Sequence, residues 1–201
     1  MNVQANPNGY AIIDQTFSPT ELATIWASID HIQGRGLFQN PNQTGSAIDP
    51  RTGQMIKRNR SVFLDDLEPA DRTPDIRPLI ASVWTQRDLV ISLTNVHPCF
   101  SLLNNINYST SLLSYYESGE RYPTHRDRSV FTILTWLYKE PKSWRGGEFK
   151  LNQYGLTMSV ENNQSIIFPG SYLHEATATQ MTTHEPGQGR YCLAQFGYVK
   201  P

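Results

Sequence analysis

The chain has 201 residues, 38% hydrophobic and 17% charged, with 17 Lys and Arg against 18 Asp and Glu. This length predicts one domain over residues 1–201 that buries roughly 70% of its unfolded surface and builds a core without a disulfide framework or structural metal. The balanced charge, the lack of any run of 18 apolar residues or secretory start, and only two, distant cysteines, Cys99 and Cys192, exclude a nucleic-acid coat and a membrane partner and predict a cytoplasmic protein.

In chain order, residues 10–14 read as a short strand. Ser18-Pro19-Thr20-Glu21 then supplies an N-cap, a proline at the first helical position and the reciprocal glutamate of a capping box. Leu22, Ile25, Trp26 and Ile29 follow at i, i+3, i+4 and i+7, which predicts a helix stopped by Gly34 and Gly36. Residues 39–53 are rich in Asn, Pro, Gly and Thr with almost no apolar anchor and read as a long loop acting as a lid. The basic run Lys57-Arg58-Asn59-Arg60 reads as a solvated edge, with contact to an anionic substrate as the alternative. A second helix is predicted over 74–87, with Ile76, Ile80, Val83 and Trp84 on one face.

Beyond Ile106 the pattern changes to short β-rich runs at 109–117, 130–138, 147–151, 165–168, 172–176 and 190–199, separated by Gly- and Pro-containing turns. Many short strands after two helices predict a mainly β fold with flanking helices, a sandwich or jelly roll.

Within Tyr122-Pro123-Thr124-His125-Arg126-Asp127, residues two apart on an extended chain share a face, so His125 and Asp127 can ligate one metal. An imidazole and a carboxylate are two of the three ligands of the facial triad that holds Fe(II) with open positions. His174, 47 residues beyond Asp127 and on another strand-like run, is the candidate for the third.

The motifs around these residues follow in a fixed order. They are Tyr115-Tyr116-Glu117-Ser118-Gly119-Glu120-Arg121 leading into the His-X-Asp segment, the apolar run 130–138, Trp144-Arg145-Gly146-Gly147-Glu148-Phe149, Ile166-Ile167-Phe168-Pro169-Gly170, His174-Glu175-Ala176 and Gly189-Arg190-Tyr191. This order resembles the Fe(II)/2-oxoglutarate-dependent dioxygenases and, within them, the prolyl 4-hydroxylase-like branch. The resemblance is strong over about 85 residues, 115–199, and looser at the N-terminal strand and capped helix.

The resemblance implies a double-stranded β-helix of the jelly-roll, cupin-like kind, with helical support over about 1–105 and a catalytic core over about 106–200. It implies that His125, Asp127 and His174 ligate Fe(II) and that Arg190 pairs with the distal carboxylate of the cosubstrate 2-oxoglutarate. Tyr115 is the phenol implied to add a hydrogen bond there, with Tyr116 or Tyr122 as alternatives. O2 is the second cosubstrate and ascorbate a stimulant. The implied reaction hydroxylates an unactivated C–H bond of a prolyl residue, a free amino acid or a related small molecule, releasing succinate and CO2. The physics of Arg190 agrees, because a planar guanidinium grips a carboxylate with two parallel hydrogen bonds.

Two departures from the family pattern stand out. Sixteen residues separate His174 from Arg190, a longer gap than in the hydroxylases, and residues 179–188 read as an inserted hairpin tip. Trp136 stands where some relatives place a cosubstrate-binding tyrosine. A nucleic-acid demethylase of the superfamily would carry a second arginine where Phe196 stands, and a halogenase would have Gly or Ala in place of Asp127. A non-catalytic metal-binding β-barrel, serving as a sensor or interaction domain, is the rival from another class. His31, His97 and His184 have no spaced partner and read as solvated or core histidines, the two cysteines as buried thiols, and Trp84 and Trp144 as packing residues.

Overall fold

A computed structural model describes residues 2–44 and 51–200 of the protein. Its elements are β1 (Asn2–Asn6), β2 (Tyr10–Asp14), α1 (Pro19–Gly34), β3 (Arg60–Phe63), α2 (Arg77–Ala81), α3 (Arg87–Val96), β4 (Tyr108–Tyr116), β5 (Tyr122–His125) and β6 (Phe131–Leu137). Then follow β7 (Trp144–Gly146), β8 (Phe149–Leu151), β9 (Leu156–Met158), β10 (Gln164–Pro169), β11 (His174–Ala176), β12 (Thr179–Met181) and β13 (Arg190–Tyr198).

The strands form a seven-stranded sheet in the order β1-β2-β10-β6-β13-β4-β3, a four-stranded sheet β5-β11-β8-β9, and the pair β12-β7. All named pairings are antiparallel. Period-two alternation divides the apolar residues of the large sheet between two cores. Ile133, Tyr115, Tyr191 and Leu193 face the helices, where they meet Ile25 and Ile29 of α1, Ile80 and Leu93. Tyr116, Trp136 and Cys192, at the alternate positions of the same strands, face the small sheet, with Phe149, Leu151 and Phe168. The layers are therefore helices, large sheet and small sheet, the jelly-roll architecture expected.

Helix α1 starts as its sequence predicts: Ser18 Oγ accepts from the Glu21 amide and the Glu21 carboxylate accepts from the Ser18 amide. The single helix predicted over 74–87 is not found. α2 covers five residues, tightens into a 3-10 turn at Ser82–Thr85, and stops at Gln86, whose extended backbone (ψ 91°) starts α3. Ile76, Ile80, Val83 and Trp84 are nevertheless all buried, so the apolar periodicity reported burial correctly, but it carried no sign of the tightening into a 3-10 turn after Ala81 or of α3, which begins where the predicted helix ends.

The N-terminal part is more than helical support, because β1, β2 and β3 supply three of the seven strands of the large sheet. β1 is polar and β3 starts at the last residue of the basic run and covers only four residues, so neither shows an apolar alternation in the sequence. That run is not a solvated edge: Lys57 is 1% exposed and Asn59 fully buried, while Arg58 points outward. The segment 179–188 is not merely a hairpin tip either, since β12 pairs with β7. Of the predicted lid, residues 45–50 lie outside the described residues. The start of that stretch is anchored: Gln39 and Ser61 exchange two backbone hydrogen bonds of 3.0 Å, and Thr44 Oγ1 accepts from Lys57 Nζ at 3.4 Å. Cys99 and Cys192 are free thiols, and among the described residues no helix is long and apolar enough to cross a membrane.

Candidate active site

The pairing of β5 with β11 sets His174 directly opposite His125. His125 ends β5, and Asp127 lies just beyond the strand, where its amide donates to the Gly170 carbonyl at 2.8 Å. The turn, and not strand alternation alone, brings the carboxylate to the face of the histidines. Glycine is required at position 170 by close approach, since a Cβ there would stand 2.4 Å from the Ser129 carbonyl oxygen.

The side-chain donor atoms of His125, Asp127 and His174 lie within 4.8 Å of one another. His125 Nε2 is 3.7 Å from Asp127 Oδ1, and His174 Nε2 is 3.5 Å from Asp127 Oδ2. Each imidazole is oriented from behind: Nδ1 of His125 donates to the Pro123 carbonyl (2.8 Å) and Nδ1 of His174 to the Tyr172 carbonyl (2.9 Å). With Nδ1 carrying the proton, both Nε2 lone pairs face Asp127, the arrangement that a carbonyl behind the ring imposes on metal-ligating histidines. Thr132 Oγ1 donates to Asp127 Oδ2 at 2.6 Å and is itself tied to Ser129 Oγ at 2.8 Å.

The electrostatics of the cluster suit a cation. Burial pushes the Asp127 carboxyl above the usual carboxylate range, against the opposing pull of His174 and the Thr132 hydroxyl. Among the described residues no Lys or Arg forms an ion pair with Asp127. Burial, and secondarily the neighbouring His174, pushes His125 down to about 3, which keeps it a neutral imidazole, the ligating form. Two imidazole nitrogens and one carboxylate oxygen around a desolvated point fit a first-row divalent ion such as Fe(II).

The cluster opens into a cavity of about 670 Å³ between the two sheets. At one end stands Arg190, the first residue of β13, 1% exposed. Its Nη1 donates to the Gly147 carbonyl at 2.6 Å, its guanidinium carbon lies 4.0 Å from the centroid of the Tyr116 ring, and its buried Nε has no hydrogen-bond partner. Among the described residues no carboxylate pairs with it, so a buried permanent cation faces the cavity in want of an anion. That geometry fits the distal carboxylate of a dicarboxylate such as 2-oxoglutarate.

Tyr115, the phenol expected beside Arg190, does not line this cavity. In the β4–β13 register Arg190 pairs with Tyr116 and Tyr191 with Tyr115, and paired residues share a face. Tyr115 therefore sits with Tyr191 on the helix side, where its hydroxyl accepts from the Gly187 and Gly189 amides (3.1 and 3.2 Å) and donates to Glu117 Oε1 (2.9 Å). The alternatives Tyr116 and Tyr122 both line the cavity, as does Trp136. The β4–β13 register, which the residues of neither strand record, is what separates the two tyrosines.

Other residues at the site were not anticipated in these positions. Thr132 positions Asp127 from β6. Tyr122 stacks on His125 with ring centroids 3.6 Å apart and planes 7° apart, and Lys57 Nζ lies 5.8 Å from the centroid of the Tyr122 ring. Burial pushes the Lys57 ammonium down to about 8, and Nζ donates to Ser61 Oγ at 2.6 Å. His31, His97 and His184 take no part in the cluster.

No family model and no curated protein matches the chain. Solved structures do match in fold. A prolyl-4-hydroxylase from Pseudomonas putida is 14% identical with a TM-score of 0.62, covering 96% of this chain and 94% of that one. A viral collagen prolyl hydroxylase from Paramecium Bursaria Chlorella virus-1, in complex with 2-oxoglutarate, is 15% identical with a TM-score of 0.53 and 94% coverage of both chains. A non-heme α-ketoglutarate-dependent carbocyclase from nogalamycin biosynthesis is 11% identical with a TM-score of 0.53, covering 94% of this chain and 79% of that one. The chain thus has the fold of the 2-oxoglutarate/Fe(II) oxygenases over nearly its whole length.

Proposed function

We propose that the protein is a single-domain Fe(II)- and 2-oxoglutarate-dependent oxygenase that hydroxylates an unactivated C–H bond. One observation carries this reading: a His-Asp-His cluster and a buried, unpaired arginine share one cavity, in the fold that 2-oxoglutarate oxygenases have. A metal-holding sensor or interaction domain needs the cluster but has no use for a desolvated guanidinium at the far end.

In this reading His125 Nε2, His174 Nε2 and the Asp127 carboxylate hold Fe(II), and Arg190 receives the distal carboxylate of 2-oxoglutarate. Bound together, the metal and cosubstrate supply the oxidant for the C–H bond, as O2 converts 2-oxoglutarate to succinate and CO2. The chain's own work is orientation and exclusion of water. The Pro123 and Tyr172 carbonyls fix the imidazole tautomers, and Thr132 fixes the carboxylate. Trp136, Phe149 and Leu134 keep the cavity wall apolar, while Tyr116 covers the Arg190 guanidinium. The substrate in this reading is a prolyl residue, a free amino acid or a related small molecule, and ascorbate stimulates turnover. Two free thiols are consistent with a cytoplasmic setting.

The test is to incubate the protein with Fe(II), 2-oxoglutarate and air and to measure succinate with free proline, proline-containing peptides, other amino acids and methylated DNA. Succinate that requires both Fe(II) and 2-oxoglutarate and rises with one of the first three classes is the expected result. Stimulation by methylated DNA alone would assign a demethylase, and iron binding without any 2-oxoglutarate binding or decay would assign the non-catalytic barrel.

A further inference from the structure

The cavity extends beyond the space that a five-carbon dicarboxylate needs. β13 turns Arg190, Cys192, Ala194, Phe196 and Tyr198 toward it, and at about 3.3 Å per residue this row runs for roughly 26 Å. The His-Asp-His cluster stands toward the far end of the row, because Asp127 is held by Thr132, which is the β6 partner of Phe196. The cosubstrate of the proposed reaction occupies the stretch between the cluster and Arg190. The remaining lobe is the part lined by Phe196 and Tyr198, and Leu112 with its β3–β4 partner Phe63 continues its apolar wall back along β13 at the level of Ala194, the β13 partner of Leu112. Its wall is apolar and aromatic.

The charge at the rim of this lobe has one sign. Arg126 and Arg128 flank Asp127, line the cavity and are exposed, and among the described residues neither forms an ion pair or hydrogen bond with a carboxylate. The carboxylate nearest in kind is Glu175, which also lines the cavity, but its oxygens are engaged by Lys150 Nζ (3.0 Å), Thr124 Oγ1 (2.5 Å) and Asn152 Nδ2 (3.3 Å). Two arginines that line the cavity beside apolar residues, with no carboxylate partner among the described residues, match a ligand with an anionic head and an apolar body, since guanidinium is the side chain best shaped to hold a planar oxyanion group in two hydrogen bonds.

We infer that the substrate to be oxidised is such an acid, held at the cavity mouth by Arg126 and Arg128 with its apolar part against Phe196 and Tyr198. This inference rests on the oxygenase reading and narrows it: the anion lies on the side of the metal cluster away from Arg190, so the enzyme binds two acids, each with its own arginine. A neutral prolyl ring within a peptide does not use this rim, whereas an amino acid with a free carboxylate does.

The test is calorimetric titration of the anaerobic Fe(II)·2-oxoglutarate protein with matched acids and amides: phenylacetate against phenylacetamide, N-acetylproline against N-acetylprolinamide, and benzyl phosphate as a second anion. Wild type, R126Q, R128Q and the double variant are compared, and 2-oxoglutarate is titrated into the Fe(II) form of each in parallel. At least one acid should bind wild type about fivefold tighter than its amide, and the double variant should lose most of that preference while keeping wild-type affinity for 2-oxoglutarate. Tighter binding of benzyl phosphate with the same arginine dependence supports the inference and assigns the anion as a phosphate ester. Absence of any preference for an acid in wild type, or a preference that survives in the double variant, overturns it and leaves the oxygenase reading standing. Failure of wild type to bind 2-oxoglutarate overturns both.

Discussion

His125 and His174 are cross-strand partners in the β5–β11 ladder, and their ring centroids lie 4.2 Å apart. Each ring is fixed by the carbonyl two residues before it, so strand register and local backbone together aim both Nε2 atoms at Asp127. Because side chains alternate, a slip of one residue in this pairing would turn one imidazole out of the cavity.

His125→Ala, Asp127→Ala and His174→Ala should each lower Fe(II) affinity by on the order of 100-fold or more, and Thr132→Val by roughly 10- to 100-fold, the range seen when an outer-shell partner is removed. All four should keep the wild-type circular dichroism spectrum, because the core is complete without metal. Anaerobic iron titration checks this, and wild-type affinity in one of the alanine variants would remove that residue from the ligand set.

Arg190→Ala should weaken 2-oxoglutarate binding without changing iron binding. Removing one half of a buried charge pair costs roughly 3–5 kcal/mol, which is about two to three and a half orders of magnitude in affinity. Arg190→Lys should lose less, since the charge survives and the two-pronged hydrogen bond does not. Unchanged 2-oxoglutarate affinity in Arg190→Ala would remove the central support for the oxygenase reading.

The two adjacent tyrosines should behave oppositely. Tyr115→Phe deprives the buried Gly187 and Gly189 amides of their acceptor and should cost about 1–3 kcal/mol of stability, leaving 2-oxoglutarate binding intact. Tyr116→Phe removes a cavity hydroxyl that burial keeps protonated. Its stability should change little, while 2-oxoglutarate affinity falls by about two- to tenfold, the worth of one hydrogen bond. Chemical denaturation and anaerobic titration of both variants separate the two roles.

Lys57 gives a pH prediction with a definite sign. Its ammonium titrates near 8 in the folded chain against a usual value of 10.5. Between these values the unfolded chain holds a proton that the folded chain has lost, so this group makes stability rise with pH over that window. The gain approaches about 3 kcal/mol, and below pH 8 the burial penalty is present in full. The half-buried Cys99 thiol, pushed up to about 11, acts in the opposite direction above pH 9, so the difference between wild type and Lys57→Met isolates the lysine. Lys57→Met should be the more stable protein at pH 7, and the two should converge toward pH 10.5; a constant difference across the window would show that Lys57 stays charged when folded.

Local chemistry made much of this protein legible in its sequence. The capping box at Ser18 and Glu21 acts within one turn of chain, and the β runs from 109 onward carry an alternation that survives into the sheets. The motif order pointed to His125, Asp127 and His174, which the fold brings within 4.8 Å of one another, because each motif is short and the chemistry demands particular residue types. Tertiary structure alone decided the rest. That Lys57 is buried and that Tyr116 and not Tyr115 shares the cavity with Arg190 depend on strand register and packing between segments far apart in the chain. A one-residue change of register exchanges the two faces of a strand, and nothing in the residues of a single strand records which neighbour it will meet.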